Sequence, residues 1–145
     1  MKKILLVHGP NLNRLGKRDA AHYGTLTLST IEANVTDVAE TLGYEVVCFQ
    51  SNHEGALIDF LQSEGDDAVG IIINPGAFTH YSYALHDALK DTQLPCIEIH
   101  LSDIKTRETW RQHSVTAPAC FAQISGKKDA GYIEAVHALH DKLSN

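Results

Sequence analysis

The chain has 145 residues, 43% of them hydrophobic and 21% charged, which suits one domain with a sizeable core. Its formal net charge of −6 argues against nucleic acid and anionic membranes as partners, and no apolar run reaches the roughly 18 residues of a membrane span. Cys48, Cys96 and Cys120 are odd in number and lack CxxC spacing, so they read as free thiols and the protein as cytoplasmic.

In chain order, KKILLVH (2–8) is a short apolar run that predicts a buried strand. GPNLNRLGKRDAAHYGT (9–25) predicts a long loop, and loops of that length inside a domain usually carry function. Ile31, Val35, Val38 and Leu42 recur at helical spacing, and Gly43 ends that helix. YEVVCFQ (44–50) is a second strand. Ala56, Leu57, Phe60 and Leu61 mark a second helix that ends before Gly65. AVGIIIN (68–74) is a third strand, PGAFTH a loop, and residues 81–91 a third helix. PCIEIH (95–100) is a fourth strand, followed by a short helix near Arg107. CFAQISG (120–126) is a fifth strand, and Ile133, Val136, Leu139 and Leu143 mark a last helix.

Strands alternating with helices imply right-handed βαβ units and a parallel sheet. Five of each predict an α/β, flavodoxin-like, doubly wound five-stranded parallel sheet of order 2-1-3-4-5, a single domain over residues 1–145. Ligands of such sheets bind beyond the carboxyl ends of the strands. The unusual segments HGPNLNRLG, NPGAFTH and HLSD follow strands one, three and four, where that rule places a site.

The charges are not evenly spread. Eight lysines are scattered, but the four arginines pair up as Arg14/Arg18 and Arg107/Arg111. Arginine's planar donors suit carboxylates, so the pairs point to an anionic small molecule. In IEIH, alternation turns Glu98 and His100 to one side of a strand type that is normally apolar on both faces. Glu98 can orient His100 and hold it protonated as a general acid. Asn74, His80 and Asp87 surround the third loop and helix and suit a ligand with several hydroxyls, although His80 also fits a helix cap and Asp87 a solvated carboxylate. His137 and His140 lie i, i+3 without a ligand-spaced partner, so no metal is expected. GxGxxG and GxxxxGK[ST] are absent.

RLGKRDAAHYG (14–24) sets an energetic condition. A tyrosine ionised near neutral pH must gain about 4 kcal/mol over its ordinary state. One cation at about 4 Å supplies about 4 kcal/mol at an effective dielectric near 20, before desolvation opposes it. Tyr23 is therefore a base only if Arg18, and preferably a second arginine, closes on it.

These residues together resemble the type II 3-dehydroquinate dehydratases (type II dehydroquinases). The resemblance runs nearly end to end and is carried by GPNLNRLGKR followed by YG, by NPGAFTHYSYALHDAL, by IEIHLS and by RETWRQHS, in that order. It implies a lyase that converts 3-dehydroquinate to 3-dehydroshikimate and water without a Schiff base, in the shikimate pathway of aromatic amino acid biosynthesis. It also implies no cofactor and a homododecamer built from trimers. By the same resemblance, Tyr23 is the base and Arg18 lowers its pKa, while Asn11 holds a water against the enolate oxygen. His100 protonates the leaving hydroxyl and Glu98 orients it. Asn74 and the backbone N–H groups of Leu101 and Ser102 hold the carboxylate, and His80 and Arg111 hold ring hydroxyls. Asp87 reaches a neighbouring subunit's site, and Arg107 closes over the site with the 14–24 loop. Asp19-Ala20, Phe78 and Asp103 stand where the family often has Glu-Pro, Tyr and Asn, and SGKKDAGY lacks the usual Gly-Leu-Gly.

Overall fold

A computed structural model describes residues 1–17 and 26–145. Strands β1 (Lys2–His8), β2 (Tyr44–Gln50), β3 (Gly70–Asn74), β4 (Cys96–His100) and β5 (Ala122–Ser125) form one parallel sheet in the predicted order, β2-β1-β3-β4-β5. Among the described residues there are four α-helices: α1 (Leu28–Thr41), α2 (Glu54–Glu64), α3 (Tyr83–Asp91) and α4 (Ala130–Ser144). None is long and apolar enough to cross a membrane.

The helix expected near Arg107 is instead a pair of single 3-10 turns, Ile104–Thr106 and Thr109–Arg111. The Asp103 side chain accepts from Lys105 N–H at 3.0 Å and closes a local turn, the competition by which short polar side chains displace helix. The third strand begins two residues later than expected: Ala68 N–H is spent on Gly65 O at 3.2 Å in a turn, and Val69 N–H reaches Lys3 O of β1 at 2.8 Å just ahead of the strand.

Strand alternation sorts the sheet into two cores. Ile4, Leu6, Ile72, Ile97 and Ile99 pack under α1 and α4 against Ile31, Val35, Tyr132, Val136 and Leu139. Leu5, Val7, Ile71, Ile73 and Cys96 pack under α2 and α3 against Leu57, Leu61, Leu85 and Leu89. The helices start where capping chemistry permits. Thr27 Oγ1 accepts from Thr30 N–H ahead of α1, and Ser82 Oγ accepts from Leu85 N–H ahead of α3, so Ser82 rather than His80 is that helix's cap.

The same alternation continues past the apolar residues. His8 and Asn74, paired in register, end β1 and β3 toward α1 and α4, whereas Glu98 and His100 fall on the α2 and α3 side of β4. Two glycines then let the loops after β1 and β3 touch. A Cβ on Gly9 would lie 2.2 Å from Pro75 O, and one on Gly76, at φ 59°, would lie 3.0 Å from Pro10 O. Gly9→Ala is expected to cost about 1–3 kcal/mol of unfolding free energy, the usual cost of overpacking, as read from the denaturant midpoint. A midpoint equal to that of the wild type would show that the two loops can part.

Candidate active site

A cleft of about 100 Å³, open to solvent, lies beyond the carboxyl ends of β1, β3 and β4. Asn11, Asn74, His80, His100, Leu101, Ser102, Arg107 and Arg111 line it, together with Pro10 and Gly76.

At its base Glu98 is fully buried, and His100 is 6% exposed. His100 Nε2 lies 2.9 Å from Glu98 Oε2, and a carboxylate can only accept, so Nε2 carries the proton there. The carboxylate also accepts from Thr79 Oγ1 at 2.9 Å, Ser114 Oγ at 2.9 Å and Gln123 Nε2 at 2.7 Å, with Thr116 Oγ1 on its second oxygen. Burial works against the charge of Glu98. The hydrogen bond and charge of His100, then Thr116 and Gln123, override it and hold the carboxyl down to about 2. Glu98 therefore stays ionised deep in the fold and fixes the plane of the His100 ring at the cleft.

The opposite wall is built from carboxamides. Asn11 takes the left-handed conformation at φ 70°, which asparagine tolerates better than most residues. Its N–H donates to Asn52 Oδ1 at 2.9 Å, and Gln50 Nε2 donates to Gly9 O at 3.1 Å and to Asn52 Oδ1 at 3.2 Å. The end of β2 thus staples the turn that presents Asn11. Asn74 Oδ1 accepts from Gly76 N–H at 3.0 Å.

Imidazole and guanidinium groups close the third side. His80 Nδ1 donates to His113 O at 2.8 Å, which leaves Nε2 as an acceptor. Burial, and then the His100 and Arg111 charges, lower His80 below the ordinary imidazole value, although the bond to His113 opposes them. Trp110 meets the His80 ring edge-on at 5.3 Å, and the Arg111 guanidinium lies 4.0 Å over Trp110. Glu108 accepts from Arg111 Nε at 2.8 Å and lies 3.9 Å from Arg107 Nε. Arg107 Nη1 also reaches Ser102 Oγ at 3.5 Å.

The structure thus brings Asn11, Asn74, His80, Glu98, His100, Leu101, Ser102, Arg107 and Arg111 to one place. Arg18, Asp19, Ala20 and Tyr23 lie outside the described residues. Asp87 is not in the cleft. It lies on α3 with its side chain 77% exposed, 3.1 Å from His86 Nδ1. Asp103 does not line the cleft either, being used as a turn cap. His140 Nδ1 shares a hydrogen bond with Tyr44 OH at 2.8 Å, a structural use. Phe78 is buried and packs edge-on to Tyr81 at 5.7 Å. Sequence reasoning missed the hydroxyl cage of Thr79, Ser114 and Thr116, the amide of Gln123, and Trp110. The one available signal was that a buried glutamate demands donors.

An imidazole–carboxylate pair, carboxamides and two guanidinium groups, with no lysine in the described lining, define an α/β protein built for acid–base chemistry on a small hydroxylated anion. The model of the class II dehydroquinase family matches residues 2–140, and the chain belongs to that family. Proteins named 3-dehydroquinate dehydratase from Bacillus cereus strains G9842 and AH187 are each 55% identical over 143 residues, covering 99% of this chain and 98% of theirs. The crystal structure of type II dehydroquinase from Butyrivibrio crossotus DSM 2876 superposes with a TM-score of 0.92 at 44% identity, covering 95% of this chain and 97% of that one. The type II dehydroquinase from Propionibacterium acnes also gives 0.92, at 37% identity and 97% of each chain.

The lowered Glu98 pKa has a defined sign. The folded state binds this proton less readily than the unfolded chain, so the stabilisation is present above about pH 4.5 and is lost as pH falls toward 2. Glu98→Gln is expected to destabilise the fold at neutral pH and to flatten the fall of melting temperature between those two values. Equal acid slopes in variant and wild type would reject the assignment.

Proposed function

We propose that this chain is a 3-dehydroquinate dehydratase that eliminates water through an enolate, without a Schiff base, in the shikimate pathway of aromatic amino acid biosynthesis. The observation that carries this reading is the buried Glu98–His100 pair opening into a cleft of carboxamides and arginines, in a chain of this family. Tyr23, as tyrosinate beside Arg18, takes the proton from C2, next to the ketone. The electron pair moves into the carbonyl, and Asn11 supports the enolate oxygen through a water. As the enolate collapses, the bond from C1 to its hydroxyl breaks. His100 gives its proton to that oxygen, and water leaves.

Asn74 and the N–H groups of Leu101 and Ser102 take the ring carboxylate. His80 Nε2 suits a ring hydroxyl because its other nitrogen is already committed to His113 O. Arg111, backed by Glu108 and Trp110, contacts another hydroxyl, and Arg107 closes the site. The Tyr23 proton passes to solvent, and His100 is recharged from it. No lysine lies in the described lining, which fits elimination without an imine.

The protein works in the cytoplasm as a homododecamer built from trimers. Tyr81 just ahead of α3 and Tyr83 at its start, 60% and 68% exposed, and Asp87 on that helix supply a surface suited to a neighbouring subunit.

Mixing the purified protein with 3-dehydroquinate should produce the ultraviolet absorbance of a conjugated enone. Tyr23→Phe should lower kcat by about 100-fold or more, the scale of a lost general base. Near-normal turnover by that variant would remove Tyr23 from the role. Light scattering should give a mass far above one chain, and Asp87→Ala should reduce activity. An active monomer would exclude a role for Asp87 across subunits.

A further inference from the structure

The carboxamide of Asn74 must show nitrogen, not oxygen, to a ligand carboxylate, and the terminal torsion of asparagine is soft. Gly76 N–H fixes the oxygen end at 3.0 Å. The nitrogen end is fixed from an element with no residue in the cleft. Asn74 Nδ2 donates to the hydroxyl of Tyr132, on the first turn of α4, at 3.0 Å. That leaves one Nδ2 proton, on a side chain that lines the cleft.

Several features hold Tyr132 in that place. Its side chain is fully buried and is among the largest so enclosed. Two glycines bring α4 against the sheet: a Cβ on Gly131 would lie 2.7 Å from Ile99 Cδ1, and one on Gly70 would lie 2.9 Å from Leu139 Cδ1. The phenol ring leans on His8, the register partner of Asn74, with centroids 6.4 Å apart and planes at 49°. His8 is in turn held by Glu32 of α1, with Nε2 3.0 Å from Oε2. Burial raises the phenol's pKa above its ordinary value, so the hydroxyl keeps its proton and accepts from the amide as a neutral group.

We propose that Tyr132 is a positioning residue for substrate, holding the Asn74 carboxamide so that its remaining N–H meets the ligand carboxylate. The proposal rests on the reading of Asn74 as a carboxylate-binding residue. A tyrosine that merely fills the core would affect stability alone, whereas one that acts through Asn74 affects binding and does so only while Asn74 is present.

The test is a double-mutant cycle of Tyr132→Phe and Asn74→Ala, with kcat and KM for 3-dehydroquinate and a melting temperature for each protein. Tyr132→Phe should raise KM about tenfold, the worth of one anchoring hydrogen bond, with kcat less affected. In the Asn74→Ala background the same change should leave KM within about twofold. An unchanged KM in Tyr132→Phe, or an equal rise in both backgrounds, overturns the proposal. A second measurement needs no variant: hydrogen exchange of the Asn74 side-chain amide in the wild type. One slowly exchanging Nδ2 proton is expected, and exchange of both at the rate of an exposed amide overturns the proposal. If the wild type shows the slow proton but no turnover of 3-dehydroquinate, the dehydratase reading falls and the Tyr132–Asn74 pair stands.

Discussion

The negative charge of Glu98 is the constraint around which the site is built. A carboxylate without solvent contact is tolerated only when each lone pair is met, and here donors arrive from β4, β5, the loop after β3 and the segment before β5. The donors are mostly neutral hydroxyls and an amide, so the fixed charge is left for the imidazole that faces the cleft. Burial alone would raise the pKa of the carboxyl, and the donor set reverses that shift.

The sheet does the rest of the positioning through its register. Parallel strands end together at one edge, and alternation sends Asn74 toward α1 and α4 but Glu98 and His100 toward α2 and α3. The cleft therefore draws support from both layers of helices, although the helices themselves stand behind its lining. Tyr132 braces one side, and the cage around Glu98 braces the other. Loop contacts close the remainder, with Gln50 and Asn52 fixing Asn11 and with Trp110 and Glu108 flanking Arg111.

The order of the sheet and the placement of its helices were legible because apolar periodicity is a local signal. Glu98 and His100 stood out because two polar residues at the end of a parallel strand contradict the rule for such strands. Asn74 and His80 stood out through loop chemistry beside a Pro-Gly turn. Thr79, Ser114, Thr116 and Gln123 carried no such mark, because a hydroxyl in a loop looks like surface until the fold encloses it. Tyr132 looked like any aromatic in a core helix, and its partner is 58 positions away in the chain. The short helix expected near Arg107 failed because Asp103 caps a local turn there. Tyr23 and Arg18 were legible as a conditional pair, and the condition concerns residues outside the described structure.

The donors around Glu98 have one more property, their closeness in sequence. Thr79 is 19 positions before it, and Gln123, the farthest, is 25 after it. The cage is thus closed by one continuous stretch of chain, while β1, β2 and their helices lie outside that stretch. Cooperative opening of native proteins proceeds by such contiguous units. A fluctuation that releases β5 removes Gln123 from Glu98, admits water to the carboxylate and loosens His100, even with β1 and β2 still paired. The Glu98–His100 side of the cleft and its Asn11 side therefore belong to regions of the molecule that can come apart at different free energies.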